Sequence, residues 1–273
     1  MTNKEALAWA SVELHKTCER PQYEAELLLA YHLKQDRMYL ITHDRDILED
    51  TDTYKSLILR RANNEPYEYI VGEASFYDIH LAVEEGVLIP RPETEILIDL
   101  VADIIKKENI TRIAEIGVGT GAISIVLARK FLELKIIATD ICKAPLHVAQ
   151  RNIEMFGLEK QITLRESNLI DKVSEPIELV VSNPPYIAED FLLESNVVDH
   201  EPKEALFGGR VGDELLKQII LDVKARDIKW LACEMGYDQK EPLSAFVNEL
   251  GIKSIQFYKD LAGFDRGFVI EFS

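Results

Sequence analysis

The chain has 273 residues, 47% of them hydrophobic and 29% charged, an ordinary globular composition that excludes collagenous, low-complexity and wholly disordered classes. Its 48 acidic and 31 basic side chains give a net charge of −17, so a general coat for DNA or RNA is excluded by repulsion from the phosphate backbone. No apolar run approaches the roughly 20 residues of a membrane span, and the first residues lack the apolar stretch of a signal peptide. Cys18, Cys142 and Cys233 are far apart and give no disulfide framework, which points to a soluble protein of a reducing compartment, the cytoplasm. The histidines are scattered without ligand spacing, so no catalytic metal is expected.

Residues 1–74 read as a small helical bundle. Thr2 and Glu5 fit a capping box ahead of Ala6, Leu7, Ala10 and Leu14, which recur at helical spacing. Pro21 opens a second helix with Ala25, Leu28, Leu29 and Leu33 on its apolar side, a short helix fits 37–41, and a longer one 52–62. Tyr77, Ile79, Leu81 and Val83 then alternate at strand period, Glu85-Gly86 signals a turn, and Val87 to Ile89 resumes extension. These residues, 75–89, are expected to form a β-hairpin linking two domains. The second domain, 90–273, alternates strands (112–116, 135–139, 162–166, 178–182, 229–234, 254–259, 267–271) with helices (93–107, 122–131, 143–156, 213–225, 240–250). Such alternation predicts a parallel sheet with helices on both faces. Only a turn at Leu261-Ala262-Gly263 separates the last two strands, so one antiparallel strand is expected at the end. Seven strands with that reversal form the pattern of a class I methyltransferase sheet, a Rossmann-like α/β fold.

The first strand of that domain runs into Gly117-Val118-Gly119-Thr120-Gly121, with a helix from Ala122. Glycines allow a sharp turn and let a cofactor approach without a Cβ clash. Asp140 ends the next strand, the usual place for an acid that accepts hydrogen bonds from ribose hydroxyls. The dinucleotide fingerprint is G-x-G-x-x-G over a pyrophosphate, whereas here the spacing is G-x-G-x-G, preceded by Glu115. S-adenosylmethionine has no phosphate and carries an ammonium that such an acid can neutralise. The spacing therefore favours it over a nicotinamide cofactor, the alternative being glycines that only make a tight turn.

Asn183-Pro184-Pro185-Tyr186 leaves the C-terminal end of the apolar strand around 179–181, the edge at which open α/β sheets bind ligands. Two prolines stiffen the segment, so little order must be gained on binding. The Asn183 side-chain carbonyl and the Pro184 backbone carbonyl can together hold both hydrogens of an NH2 group, and Tyr186 adds an aromatic wall. A planar amide or aryl amine is a poor nucleophile. Gripping both N–H bonds orients its lone pair toward a sulfonium methyl, and the two oxygens stabilise the positive charge that develops. Asn183 and Pro184 are thus the candidate catalytic groups, and Asn183, Pro184, Pro185 and Tyr186 the candidate substrate-binding groups. The alternative is a plain proline-rich turn, disfavoured by the glycine loop upstream.

Over essentially its whole length the chain resembles the HemK family, the N5-glutamine methyltransferases of peptide chain release factors. The resemblance rests on Glu65-Pro66-Tyr67-Glu68-Tyr69-Ile70-Val71-Gly72, on Phe76-Tyr77 and on Ile89-Pro90-Arg91-Pro92-Glu93-Thr94-Glu95. It rests also on 183–187, on Glu201-Pro202 with Ala205-Leu206, and on Asp260-Leu261-Ala262-Gly263-Phe264-Asp265-Arg266. It implies that Gly117 to Gly121, Asp140 and Asn168 contact S-adenosylmethionine, with Asn183 at its reactive end. It further implies that 183–186 hold the glutamine of a Gly-Gly-Gln loop, and it places Arg91 and Glu93 near the active site, where Pro92 and Glu93 also suit a helix start. The acidic stretch 189–204 reads as a solvated loop, the alternative being a contact with the protein substrate, and the helical domain as the part that positions the release factor. The Asn-Pro-Pro-Tyr signature is shared with enzymes acting on a ribosomal-protein glutamine, on adenine in DNA and on guanine in ribosomal RNA. Residues 1–85 carry 17 acidic and 9 basic side chains, which argues against nucleic acid.

Overall fold

The computed structural model describes residues 1–192, 199–252 and 254–272, and these fall into two compact units. The first is Met1–Glu73, joined by the described residues 199–200. Its helices are α1 (Asn3–Leu14), α2 (Pro21–Leu33), α3 (Arg37–Thr42), α4 (Thr51–Ala62) and α5 (Tyr67–Val71). The capping box is present: the Thr2 side chain accepts from the Glu5 N–H, and Glu5 Oε2 accepts from the Thr2 N–H at 2.8 Å. Ala6, Ala10, Leu14, Ala25, Leu28, Leu29 and Ile58 form the core, and the buried Tyr54 hydroxyl donates to the Ala25 carbonyl at 3.1 Å. The helix α5 was not expected. Five residues are too few to show a period, and its place is fixed by burial of Tyr69 and Ile70 and by Gly72, which closes it at φ 79°.

A hairpin of β1 (Glu73–Phe76) and β2 (Ile79–Ala82) opens the second unit. It turns at Tyr77-Asp78 rather than at Glu85-Gly86, and Val87 to Ile89 form no return strand. The turn carries no glycine. Tyr77 holds a left-handed φ of 55° because its N–H donates to Glu95 Oε1 at 2.8 Å and its hydroxyl to Asp99 Oδ1 at 2.7 Å. Phe76, Ile79 and Leu81 pack into the core beneath the sheet.

The remaining elements are α6 (Thr94–Glu108), β3 (Arg112–Ile116), α7 (Ala122–Lys130), β4 (Lys135–Asp140), α8 (Lys143–Met155), β5 (Ile162–Glu166) and β6 (Leu179–Ser182). They continue with β7 (Ile187–Ala188), β8 (Phe207–Gly209), α9 (Glu214–Ala225), β9 (Trp230–Glu234), α10 (Lys240–Glu249), β10 (Ser254–Lys259) and β11 (Asp265–Glu271). Every strand and helix predicted from residue 90 onward is present, with ends within two residues. The seven-stranded sheet has the order β10-β11-β9-β6-β3-β4-β5, parallel except for β11, which pairs antiparallel with both neighbours. The strand that reverses therefore sits inside the sheet, between β9 and β10.

Alternate residues of each strand face opposite layers. Ile113, Leu179, Val181 and Ala232 face the core shared with α6, α7 and α8. Ala114, Ile116, Val180, Leu231 and Cys233 face the core under α9 and α10. The same parity turns two acids, Glu115 and Glu234, toward the α6–α8 layer. Strand order reverses on either side of β3, which puts a ligand crevice at the carboxyl ends of β3 and β6. Among the described residues no helix is long and apolar enough to cross a membrane.

Candidate active site

A cavity of about 390 Å³ lies at this crevice, and Gly117, Gly119, Asp140, Asn168, Asn183, Pro184 and Pro185 are in its wall. The β3–α7 loop folds over the end of β4: the Gly117 and Val118 N–H groups both donate to the Thr139 carbonyl at 2.9 Å. Gly119 sits at φ 54°, and a Cβ there would meet nothing within 4 Å, so the loop presents bare backbone to the cavity. Asp140 Oδ1 accepts from the Cys142 N–H at 2.9 Å and Oδ2 from the Gly119 N–H at 3.4 Å. Burial pushes its pKa above the ordinary aspartate value. Asn168 lies beyond β5, exposed at the cavity wall, with Nδ2 donating to Asp171 Oδ2 at 3.3 Å.

Not all of the expected cofactor residues reach the cavity. Glu115, Val118, Thr120 and Gly121 are absent from its wall. The expectation that Glu115 meets the cofactor's ammonium is corrected by strand parity: its side chain points under the loop, 1% exposed, and accepts from both the N–H and the hydroxyl of Ser124 on α7. Burial pushes its pKa up to about 8.

The other half of the site hangs from β6. The Ser182 hydroxyl donates to the Ile116 carbonyl at 2.8 Å and ties β6 to β3 just before the turn. Asn183 Nδ2 donates to Thr94 Oγ1 at 3.0 Å, and Thr94 Oγ1 donates to Glu234 Oε2 at 2.7 Å. The other carboxylate oxygen, Glu234 Oε1, accepts from the Tyr186 hydroxyl at 3.1 Å. Both ends of the Asn-Pro-Pro-Tyr turn are thus anchored on one buried acid at the end of β9. Burial raises the Glu234 pKa to about 7, against the pull of the Thr94 and Tyr186 hydroxyls and of Arg266. Burial and the neighbouring Glu234 push the Tyr186 phenol well above its ordinary value.

The backbone of the turn is held as well. Gln239 Nε2 donates to the Tyr186 carbonyl at 2.8 Å, and β7 pairs with β8 just beyond it. A Cβ on Gly208 would lie 2.4 Å from the Pro185 carbonyl oxygen, and one on Gly212 (φ 93°) 2.5 Å from that of Tyr186. Arg91 donates to Glu201 Oε1 at 2.6 Å, and the Glu201 side chain is 3% exposed. That pair joins the Ile89–Glu95 segment to the Glu201-Pro202 segment at the cavity, where Pro202 and Glu204 stand in the wall. Of the acidic stretch 189–204, residues 193–198 lie outside the described residues.

Thr94, Glu234, Gly208, Gly212 and Gln239 were not singled out as site residues from sequence. Glu234 carried a usable signal, an acid at the carboxyl end of a predicted strand beside the site. Thr94 had only its place in the Ile89–Glu95 segment.

Two family models match the chain: the PrmC N-terminal domain over residues 5–72 and the methyltransferase small domain over residues 93–200. A release factor glutamine methyltransferase of Clostridium botulinum is 38% identical over 256 residues, 90% of each chain. One from Dictyoglomus turgidum is 36% identical over 270 residues, 96% of each. Among solved structures, the hMettl16 catalytic domain in complex with MAT2A 3′UTR hairpin 6 matches with a TM-score of 0.59 at 17% identity, over 81% of this chain and 80% of that one. The N-terminal domain of human METTL16 in complex with SAH gives 0.54 at 19% identity, over 84% and 86%. At such identity the likeness concerns the fold, which is that of the class I methyltransferases.

Proposed function

The chain belongs to the release factor glutamine methyltransferase family, and from that premise we propose that it methylates the side-chain amide nitrogen (N5) of the glutamine in the Gly-Gly-Gln loop of peptide chain release factors. One observation carries the reading: Asn183 and Pro184 stand in the wall of the same cavity as Gly117, Gly119 and Asp140, so an amide held by them would lie beside the cofactor half.

The cavity fits S-adenosylmethionine. Its volume of about 390 Å³ lies in the range of small-molecule sites, its floor at Gly119 is open backbone, and Asp140 offers a carboxylate where ribose hydroxyls would lie. Gly117 and Gly119 would take the amino-acid end, Asp140 the ribose, Asn168 the adenine side, and Asn183 the reactive end. Val118, Thr120 and Gly121 serve by shaping the loop, and Glu115 by holding it to α7. When bound, the cofactor supplies an electrophilic methyl on a sulfonium.

The rest is the work of this chain. With its NH2 committed to Thr94, Asn183 turns its carbonyl oxygen to the substrate. That oxygen and the Pro184 carbonyl accept the two hydrogens of the glutamine NH2, which draws its lone pair out of conjugation and aims it. As the nitrogen becomes positive, the same two oxygens stabilise it in a site fixed beforehand by two prolines. No strong base is needed, because the proton leaves to water once the nitrogen has been alkylated. Pro185 walls the glutamine, the Arg91–Glu201 pair braces the rim, and Tyr186, expected as an aromatic wall, is absent from the cavity lining and instead anchors the turn on Glu234. The helical domain positions the release factor. The net charge of −17 and three free cysteines support a cytoplasmic enzyme with no direct nucleic-acid partner.

Mass spectrometry of a purified release factor, incubated with the protein and S-adenosylmethionine, tests this. The expected result is one added methyl on the Gly-Gly-Gln glutamine, abolished when that glutamine is replaced. Methylation of a ribosomal protein or a nucleic acid, with the release factor unchanged, would overturn it.

A further inference from the structure

Glu234 touches neither cavity nor turn backbone, yet it terminates the hydrogen-bond chain that reaches Asn183. We propose that Glu234, through Thr94, is a positioning residue that sets which way the Asn183 carboxamide points and thereby switches the site between an amide-accepting and an amide-repelling state. The inference rests on the functional reading above, in which the Asn183 carbonyl must face the substrate.

An ionised carboxylate only accepts, so the single Thr94 hydroxyl proton goes to Glu234 Oε2, at 2.7 Å. The Thr94 oxygen is then left as an acceptor toward Asn183, and only Nδ2 can face it, at 3.0 Å. Asn183 Oδ1 is forced outward. A protonated Glu234 can instead donate to Thr94. The Thr94 proton then turns to Asn183, which flips to receive it and presents its NH2 to a substrate that is itself a donor. Two donors face each other, and the grip on the glutamine is lost. Thr94 and Glu234 are 4% and 1% exposed, so no solvent intervenes to relax this polarity.

Ionisation of Glu234 is the control point. Facing it are the Tyr186 hydroxyl from the turn, Thr94 on α6 with Glu93 just before it, Arg266 on β11, and Tyr258 on β10. Arg266 favours the carboxylate, Glu93 opposes it, and burial opposes it most, leaving a pKa of about 7. Burial and nearby acids hold both tyrosines above their ordinary values, so neither competes near neutrality.

The test combines kinetics with a signal that does not need turnover. At saturating release factor, kcat of the wild type should fall as pH drops through about 7. Thr94→Val and Glu234→Gln should lower the alkaline kcat roughly 10-fold and abolish that limb, as loss of a buried charge-assisted hydrogen bond does. Thr94→Ser keeps the hydroxyl and should recover kcat to within about threefold, limb included. S-adenosylmethionine affinity, measured by calorimetry, checks that each variant is folded. The Asn183 side-chain NH2 resonance, assigned by its loss in Asn183→Ala, should shift with a midpoint near 7 in the wild type and lose that transition in Glu234→Gln. A wild-type kcat in Thr94→Val, a loss confined to KM, or an NH2 signal indifferent to Glu234 overturns the inference. If the wild type leaves release factors unmethylated, the functional reading fails, and the NH2 signal still decides the relay.

Discussion

Glu115 lies near the carboxyl end of β3 and Glu234 at that of β9. Parity turns both toward the same layer, both are 1% exposed, and each receives a hydroxyl proton from a neighbouring helix, Ser124 on α7 and Thr94 on α6. They differ in what the hydroxyl does next. Ser124 also gives its backbone N–H to Glu115, and those hydrogen bonds end there, between β3 and the first turn of α7. Thr94 passes its acceptor side to Asn183 in the cavity wall. The more strongly perturbed acid, Glu115 with a pKa of about 8 against about 7, is the one that does not reach the site. A shifted pKa marks burial, and only the connection beyond the partner separates a brace from a functional group.

The largest expected effect comes from cutting the functional chain at its end. Asn183→Ala removes a transition-state acceptor and should lower kcat roughly 100-fold or more, while S-adenosylmethionine affinity measured by calorimetry stays within about threefold. Normal turnover in that variant would erase the distinction between the two acids.

A pair of glycine variants sharpens it at the level of backbone. Gly212→Ala puts a methyl 2.5 Å from the Tyr186 carbonyl oxygen, so the turn must move. The expected loss is about 10-fold in kcat/KM for the release factor, with little change in cofactor affinity, since a misplaced reactive geometry is costly. Gly119→Ala meets no neighbour but forces φ 54° on a residue with a Cβ that fills the cavity floor. There the loss should fall on the cofactor dissociation constant, by about 10-fold. Equal effects of both variants on cofactor binding would mean that the two halves are not separable.

What was legible in the sequence is what local pattern and chain order specify. Strand parity, glycine spacing and the Asn183–Tyr186 turn all lie within runs of a few residues, and the sheet elements follow from them. The Asn183–Thr94–Glu234 chain spans separations of 89 and 140 residues, and no local pattern announces it. The same holds for Gly208 and Gly212, whose need for glycine arises only from the Pro185 and Tyr186 carbonyls pressed against them. Parity, applied to Glu115 in the sequence, would have placed it beside its helix rather than in the cavity, because Ala114 and Ile116 take the opposite face.

The smallest effect on catalysis, and the cleanest on stability, belongs to Glu115→Gln. A carboxyl raised from 4.5 to about 8 holds, when folded, a proton that the unfolded chain has released. Between those two pH values the unfolded state binds fewer protons, so the stability this carboxyl contributes falls as pH rises and is gone above the folded pKa. The contribution is on the order of 5 kcal/mol, or roughly 10 °C or more in Tm. Glutamine keeps an oxygen for Ser124 and carries no titrating group. The Tm of Glu115→Gln relative to wild type, followed by scanning calorimetry, should therefore rise between pH 5 and 9 by about that amount. The acid limb of kcat should persist in this variant, because it belongs to Glu234. A Tm that tracks the wild type at every pH would show that the Glu115 carboxyl is not held in its protonated form. Loss of the kcat limb would show that the brace and the relay are one system.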